Sequence, residues 1–574
     1  MAPYGFVSFA LHRRIARETA ERDSFTDIID DWRATMNEPP SVSRRTLLRG
    51  AAAVVGAAGV AGTAIPAAAA GQSPATNPAH SLVDLETATV DQLRQLLDAR
   101  RITSEQLVAA YLDRVHALKA QGPSVNAVRA VNPDALAEAR AADRLRNTGK
   151  PHGPLLGIPV LLKDNIDVAG MTTTAGSVAL AHSSPAGDAP LVTRLRNAGA
   201  IILGKAKLTE FANFLTTGMP SGYSSAGGQV LNPYDASQSP SGSSSGPAVA
   251  AAVGFAPLTV GTETSGSILS PSAANSDVGI KPTVGLISRT GIVPIAASQD
   301  TAGPITKTVA DAAVELTALT GTDPLDPATA ANPLVGHDFT ADLRTDALRG
   351  ARIGVVAGQV PAAGTDNRTL WDAATAVLTA SGAVLVPVTL DITSSIAGGS
   401  TVLNYEFKRD LNTYLSRLPT TAPMKTLADI IAYNTAHAPI ALKFGQVQAT
   451  TSQAKDLGPG SADTAKYQAD RAQDLADSRG RIDPLLAGNN LTALLFANSG
   501  SAGIGARAGY PSITVPAGYQ ASNRRPFNIA FLGPAWSEPV LVGYAYAYEQ
   551  ASLLRQPPSA INPSLFAKHE TETA

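Results

Sequence analysis

Cysteine is absent from the 574 residues, so no thiolate nucleophile, zinc ribbon or iron–sulfur cluster is available and the chemistry must come from oxygen and nitrogen groups. Hydroxyls are concentrated between Gly218 and Ser276, where the chain is crowded with Gly and Ser. Two stretches stand out: Ser239-Pro240-Ser241-Gly242-Ser243-Ser244-Ser245-Gly246-Pro247 and Gly261-Thr262-Glu263-Thr264-Ser265-Gly266-Ser267-Ile268. They flank Ala248 to Val260, an apolar segment rich in Ala and Val, which ties both to a buried element and argues against a flexible linker. Buried Gly/Ser loops offer backbone amides that can converge on an anion or an oxyanion.

Two short patterns place a nucleophile. Gly242-Ser243-Ser244-Ser245-Gly246 matches G-x-S-x-G, the nucleophile elbow of an α/β-hydrolase with Ser244 as the attacking group. Such a match is cheap in a Gly/Ser-rich stretch. It also needs a downstream histidine, and His337, His437 and His569 each read as surface residues. Ser452-Gln453-Ala454-Lys455 matches S-x-x-K, in which a lysine serves a serine as base. No K-T-G partner accompanies it, and it falls in a polar, helical-looking stretch.

These groups need a frame. Leu155-Leu156-Gly157-Ile158-Pro159-Val160-Leu161-Leu162 is an apolar run short enough for a buried strand, with Lys163 at its end. Further strand-like runs occur at Ala200 to Leu203, Ala351 to Val356 and Ala383 to Val388, alternating with helical stretches at Leu191 to Asn197 and Asn367 to Ala380. The alternation predicts an α/β core. Thr89-Val90-Asp91-Gln92 and Thr103-Ser104-Glu105-Gln106 fit the capping box, each followed by a helical stripe of Leu, Val or Tyr, so the folded part opens as a helical hairpin. Asn132-Pro133-Asp134 starts another helix, running through Leu145. With no internal repeat and no second composition class, residues 81–574 read as one large domain.

The segment ahead of it carries an address. Ser43-Arg44-Arg45-Thr46-Leu47-Leu48-Arg49 precedes Gly50 to Ala70, an uncharged run of mainly Ala, Gly and Val that ends in Ala68-Ala69-Ala70. The order is charged n-region, apolar h-region and small-residue cleavage site, and the paired arginines look like a twin-arginine signal. Residues 1–70 are therefore expected to be an n-region and signal peptide, read by the twin-arginine export machinery and cleaved near Ala70. Residues 71–80 follow as a linker, and the mature protein is exported without stable membrane insertion. Met36, just before the arginine pair, is a candidate start of translation.

Charged residues make up 16%, and 45 Lys+Arg against 47 Asp+Glu leave a net charge of −2. That offers no field for recruiting nucleic acid. A hydrophobic content of 44% with 49 Gly and 40 Pro suits a large, loop-rich globular enzyme and excludes a disordered chain or a polytopic membrane protein.

Several motifs in register resemble the amidase signature family. They are Gly157 to Ile166, the Ser/Gly loop, Gly261 to Pro271 and Gly279-Ile280-Lys281-Pro282-Thr283. Gln299-Asp300-Thr301-Ala302-Gly303-Pro304, Ala508 to Pro516 and Ala535-Trp536-Ser537-Glu538-Pro539 extend them. Glu263 with Thr264, the triple serine and Tyr544 to Gln550 look most similar to the bacterial peptide-amidase branch, which removes ammonia from C-terminally amidated peptides. The resemblance implies an amidase-signature α/β fold: a central mixed, twisted sheet covered by helices on both faces. It implies hydrolysis of a carboxamide to acid and ammonia through an acyl-enzyme, with no metal or cofactor. It further implies a Ser–cis-Ser–Lys triad in which Lys163 is the base, Ser243 the bridging serine in a cis peptide and Ser267 the nucleophile, with the backbone amides of Thr264, Ser265 and Gly266 as the oxyanion hole. Lysine acts as a base only when neutral, and burial at the end of the Leu155–Leu162 run would favour that form.

Some positions depart from the family pattern. Pro247, Ser241, Ser245, Ser265, Leu269, Ser270 and Asp277 differ from the usual residues, and the small, polar segment Asn498 to Gly503 stands where the family's chain approaches the acyl pocket. Three other functions compete. An α/β-hydrolase-like esterase would use Ser244, a secreted binding protein would keep the fold without catalysis, and an amidotransferase subunit would need a cytosolic partner and ATP, which the export signal argues against.

Overall fold

The computed structural model describes residues 77–120 and 125–563. The signal peptide, the cleavage site, Met36 and His569 lie outside the described residues. Of the linker expected over 71–80, the last residues already belong to the fold: the Asn77 side-chain amide donates to Gln106 O at 2.8 Å, and buried Ala79 opens the short helix Ala79–Leu82.

The two capping boxes form. Thr89 and Gln92 exchange both side-chain-to-backbone hydrogen bonds at the start of the helix Val90–Asp98, and Thr103 and Gln106 do the same at the helix Ser104–Ala120. Their apolar stripes, Leu93 and Leu97, then Leu107, Tyr111 and Val115, are buried. The longer helix packs against the helix Ala135–Asn147, which begins just after the Asn132-Pro133-Asp134 signal.

Thirteen strands are present among the described residues: β1 (Val128–Val131), β2 (Pro159–Lys163), β3 (Ile201–Ala206), β4 (Tyr223–Ser224), β5 (Gly228–Gln229), β6 (Leu258–Glu263), β7 (Val278–Lys281), β8 (Thr301–Thr306), β9 (Arg352–Val356), β10 (Val384–Val388), β11 (Ala493–Ala497), β12 (Ser512–Tyr519) and β13 (Pro526–Leu532). β4 and β5 pair alone, and the other eleven form one sheet in the order β1-β3-β2-β6-β8-β7-β12-β13-β11-β9-β10. β3, β2 and β6 are mutually parallel, β11, β9 and β10 likewise, and the strands between are antiparallel. The expected α/β class, a mixed sheet flanked by helices, is the one observed.

Two sequence expectations shift. The run from Leu155 does not enter the sheet until Pro159, because Gly157 makes a turn at φ +81° where a Cβ would lie 2.2 Å from Ser104 Oγ. The apolar segment Ala248 to Val260 divides into the end of a helix, Ser245–Ala252, and the start of β6. All eight residues of that helix are buried against the sheet, which only small side chains permit. Pro247 sits in its first turn, where a missing N–H costs nothing. Gly246 donates to Lys207 O at 2.9 Å, and a Cβ there would come within 2.2 Å of that oxygen.

Between β10 and β11 lies a block of helices that includes Val402–Arg417, Leu427–Ala436, Val447–Gln453 and Ala462–Ala476. Phe407, Leu411 and Leu415 of the first form an apolar cluster with Phe211, Leu427 and Ile430, which fixes the block against the segment following β3. Among the described residues no helix is long and apolar enough to cross a membrane.

Candidate active site

Parallel neighbours in an open α/β sheet bring the carboxyl ends of their strands together, where such folds bind ligands. β2 and β6 are neighbours in this sense, with Leu162 opposite Val260, so Lys163 at the end of one strand lies beside Thr262 at the end of the other. Lys163 is fully buried, with Nζ 2.9 Å from Ser243 Oγ, 2.9 Å from Thr262 Oγ1 and 3.1 Å from Thr262 O. An ammonium can donate to all three oxygens. After losing a proton, the nitrogen can accept from the Ser243 hydroxyl instead. Burial pushes the Lys163 ammonium down to about 7, against the opposing pull of the Asp300 and Glu263 carboxylates.

Ser243 is fully buried, and the Gly242–Ser243 peptide bond is cis. Its carbonyl accepts from Thr209 N at 3.1 Å. Ser241, at φ +59°, is left-handed, which is the reason glycine suits that position, and its carbonyl accepts from Ser245 Oγ at 2.5 Å. Two of the positions that depart from the family pattern thus bond each other.

The turn between β6 and the helix Leu269–Ala274 holds Thr264, Ser265, Gly266 and Ser267. Glu263 closes it: Oε2 accepts from Ile268 N at 2.7 Å and Leu269 N at 2.9 Å. Gly266, at φ +87°, makes the reversal that sets Ser267 beneath the surface with 7% of its area exposed. The Ser267 carbonyl accepts from Ser244 N at 3.1 Å, which joins the two Gly/Ser stretches. Lys163 and Ser243 thus meet through their side chains, whereas Ser267 joins them through backbone. No hydrogen bond links the Ser243 and Ser267 hydroxyls among the described residues.

Ser244 behaves differently. Its buried hydroxyl donates to Thr262 O at 3.0 Å and accepts from Thr262 N at 3.2 Å, so it is committed to the backbone of β6. Of the three histidines offered to that reading, the two described are engaged elsewhere: His337 Nε2 lies 2.7 Å from Asp342 Oδ2, and His437 stacks on Tyr433. The S-x-x-K pair is also separate, because Ser452 Oγ donates to Asn404 Oδ1 at 2.9 Å and Lys455 pairs with Asp463 at 3.0 Å.

Four residues that carry the geometry had no role assigned from sequence: Thr262, Asn165, Glu263 and Asp300. Asn165 Nδ2 donates to Thr262 Oγ1 at 3.0 Å and so orients the lysine's partner. Asp300 accepts from the Thr264 hydroxyl. Their motifs were visible, but their partners depend on sheet pairing.

A cavity of about 620 Å³ opens beside this cluster, with Thr262, Glu263, Thr264 and Asp300 in its lining. Its lining includes the loop from Arg289 to Ala297 and the end of the helix Val402–Arg417, with Asp410, Tyr414 and Arg417. It meets the Thr262–Thr264 side of the cluster, and Lys163, Ser243 and Ser267 are not part of its wall. The Asn498–Gly503 segment is not in its lining and lies against the start of the helix Leu269–Ala274, where Ser270 Oγ donates to Ser499 Oγ at 3.0 Å. Burial pushes two of the cavity acids up, Asp167 to about 6 and Asp300 to about 7. Among the described residues no group of three or more His, Asp or Glu side chains is arranged to hold a metal ion.

The chain is similar to known proteins over most of its length. The amidase family profile matches residues 106–456. A probable amidase of Arabidopsis thaliana is 41% identical over 496 residues, covering 84% of this chain and 93% of the relative. The crystal structure of the native peptide amidase of Stenotrophomonas maltophilia is 44% identical, with a TM-score of 0.77 over 82% of this chain and 98% of that one. An amidase family protein of Bacillus anthracis is 35% identical, with a TM-score of 0.79 over 85% of this chain and 95% of that one. With the fold, the ordered motifs and these relatives in agreement, the chain belongs to the amidase signature family.

Proposed function

We propose that this amidase hydrolyses C-terminal carboxamides of peptides to acid and ammonia through an acyl-enzyme on Ser267. The observation that carries the reading is the 2.9 Å contact between Lys163 Nζ and Ser243 Oγ, in a dry setting that holds the lysine near neutrality. An amide is a poor electrophile with a poor leaving group, so a hydroxyl must be deprotonated, an oxyanion held and a proton delivered to the departing nitrogen.

Neutral Lys163 takes the proton of Ser243 while Ser243 takes that of Ser267, and Ser267 Oγ bonds to the substrate carbonyl carbon. The amides of Thr264, Ser265 and Gly266 hold the resulting oxyanion. The proton returns from Lys163 through Ser243 to the leaving nitrogen, the C–N bond breaks and ammonia departs. Water, deprotonated by the same relay, then attacks the acyl ester and frees Ser267. Peptide amides are favoured because the cavity beside the oxyanion loop has room for side chains and because the Stenotrophomonas relative bears the name peptide amidase.

The protein is further proposed to be exported and cleaved near Ala70, which rests on the arginine pair, the apolar run and Ala68-Ala69-Ala70. Edman sequencing of protein recovered outside the cytoplasm should begin at Gly71. Recovery only from the cytoplasm with residues 43–70 intact would overturn this.

The activity is tested by ammonia release from a panel of peptide amides and simple aliphatic amides, with Ser267→Ala assayed in parallel. Release from peptide amides that vanishes in the variant is the expected result. Release that persists in the variant moves the nucleophile elsewhere, and no release from any peptide amide overturns the substrate assignment.

A further inference from the structure

Asp300 is a half-buried acid on the cavity wall with no part in the proton relay, yet it makes three hydrogen bonds in two directions. On one side it accepts from the Thr264 hydroxyl, and on the other Oδ2 accepts from Ile295 N at 2.8 Å and Ala296 N at 2.9 Å. Sheet register puts it there. In the antiparallel β6–β8 pair Glu263 lies opposite Thr301, so one residue beyond the pair Thr264 faces Asp300. The loop it grips is held from its other side by the helix Val402–Arg417. Ala297 N donates to Asp410 Oδ2 at 2.9 Å, and Ser298 N donates to Glu406 Oε2 at 3.0 Å.

We propose that Asp300 is a positioning residue for amide hydrolysis, fixing the first residue of the oxyanion turn, through the Thr264 hydroxyl, against the cavity wall at Ile295 and Ala296. This rests on the oxyanion assignment proposed above. Thr264 is followed by the exposed Ser265 and by Gly266 in a positive-φ turn, and the bonds that close the turn, from Ile268 N and Leu269 N to Glu263 Oε2 and from Ser270 N to Gly266 O, do not involve Thr264. An amide donor helps an oxyanion only within a few tenths of an ångström of its proper place. The Thr264 side chain is the handle by which the fold holds that place. Loss of the handle leaves substrate binding in the cavity largely intact and weakens the transition state, so it reduces kcat with little change in KM.

The test is steady-state kinetics on a peptide amide with Thr264→Val, Asp300→Ala, Asp300→Asn and the Thr264→Val/Asp300→Ala double variant, beside Ser267→Ala. Thr264→Val keeps the side-chain shape and removes only the hydrogen bond, so it is informative even if Asp300→Ala does not fold. Thr264→Val is expected to lower kcat about tenfold or more, with KM within about twofold. The double variant is expected to lose little beyond the worse single variant. Asparagine can accept from the two backbone amides and donate to Thr264 Oγ1, so Asp300→Asn should retain most of kcat. Unchanged kcat in Thr264→Val, a loss confined to KM, additive losses, or an Asp300→Asn variant as impaired as Asp300→Ala would each overturn the proposal. An active Ser267→Ala enzyme would instead overturn the nucleophile assignment, whatever Asp300 does.

Discussion

The backbone amide of Ser244 donates to the carbonyl of Ser267 at 3.1 Å, binding the Gly/Ser loop that carries Ser243 to the turn that carries Ser267. One backbone hydrogen bond thus registers two hydroxyls that belong to separate segments of the chain. The Ser244 side chain adds two bonds to Thr262, the residue that also holds Lys163. Ser244 is the scaffold on which the other three groups are aligned.

Lys163 links the site to pH. Its ammonium, pushed down to about 7 by burial, is the unreactive form, so kcat/KM for a peptide amide should rise as pH increases through about 7. Lys163→Ala should lower turnover on the order of 10³-fold. A pH–rate profile of the wild type that is flat from pH 5 to 9 would count against a lysine base.

Ser244→Ala separates scaffold from nucleophile. The substitution leaves Thr262 N, at the end of β6, without its side-chain acceptor, which costs about 1–3 kcal/mol of stability. Chemical denaturation should show that loss while ammonia release falls far less than in Ser267→Ala. A Ser244→Ala enzyme as inactive as Ser267→Ala would revive the elbow reading.

Gly266 is required by its backbone. At φ +87° a side chain is strained by roughly 1–2 kcal/mol, and a Cβ would lie 3.0 Å from Ser270 Oγ. Gly266→Ala should therefore displace the turn proposed to hold the oxyanion and lower kcat by about tenfold or more, with a Tm change of only a few degrees. Wild-type kcat in that variant would show that the turn tolerates the shift.

Glu315 on the helix Val309–Leu319 is fully buried with no hydrogen bond to either carboxyl oxygen among the described residues, and burial, reinforced by Asp311, raises it well above its ordinary value. The unfolded chain ionises this group first while the folded protein keeps it protonated. Stability must then fall as pH rises above about 4.5, by up to about 1.4 kcal/mol per pH unit, until the folded group also ionises. Glu315→Gln cannot titrate, so its stability between pH 5 and 8 should decline less steeply than that of the wild type in denaturant melts. Identical slopes would refute the assignment.

Local signals were legible because their causes are local. The capping boxes at Thr89 and Thr103 are satisfied by residues three positions on, and the strand ending at Lys163 is a run of adjacent apolar side chains. The order of the Gly/Ser motifs was enough to suggest the family and the three residues now proposed as the triad. The tertiary structure decided what those residues touch. Lys163 and Ser243 are 80 positions apart and meet only because β2 and β6 run side by side. Thr264 finds Asp300 through the antiparallel register of β6 with β8, which no pattern of spacing encodes. The cavity wall at Asp410, Tyr414 and Arg417 comes from a helix whose place is set by apolar packing of Phe407 and Leu411. Spacing along a chain reports hydrogen bonds between near neighbours, whereas strand order and helix docking minimise the free energy of the whole core, so the contacts they create appear only in the folded protein.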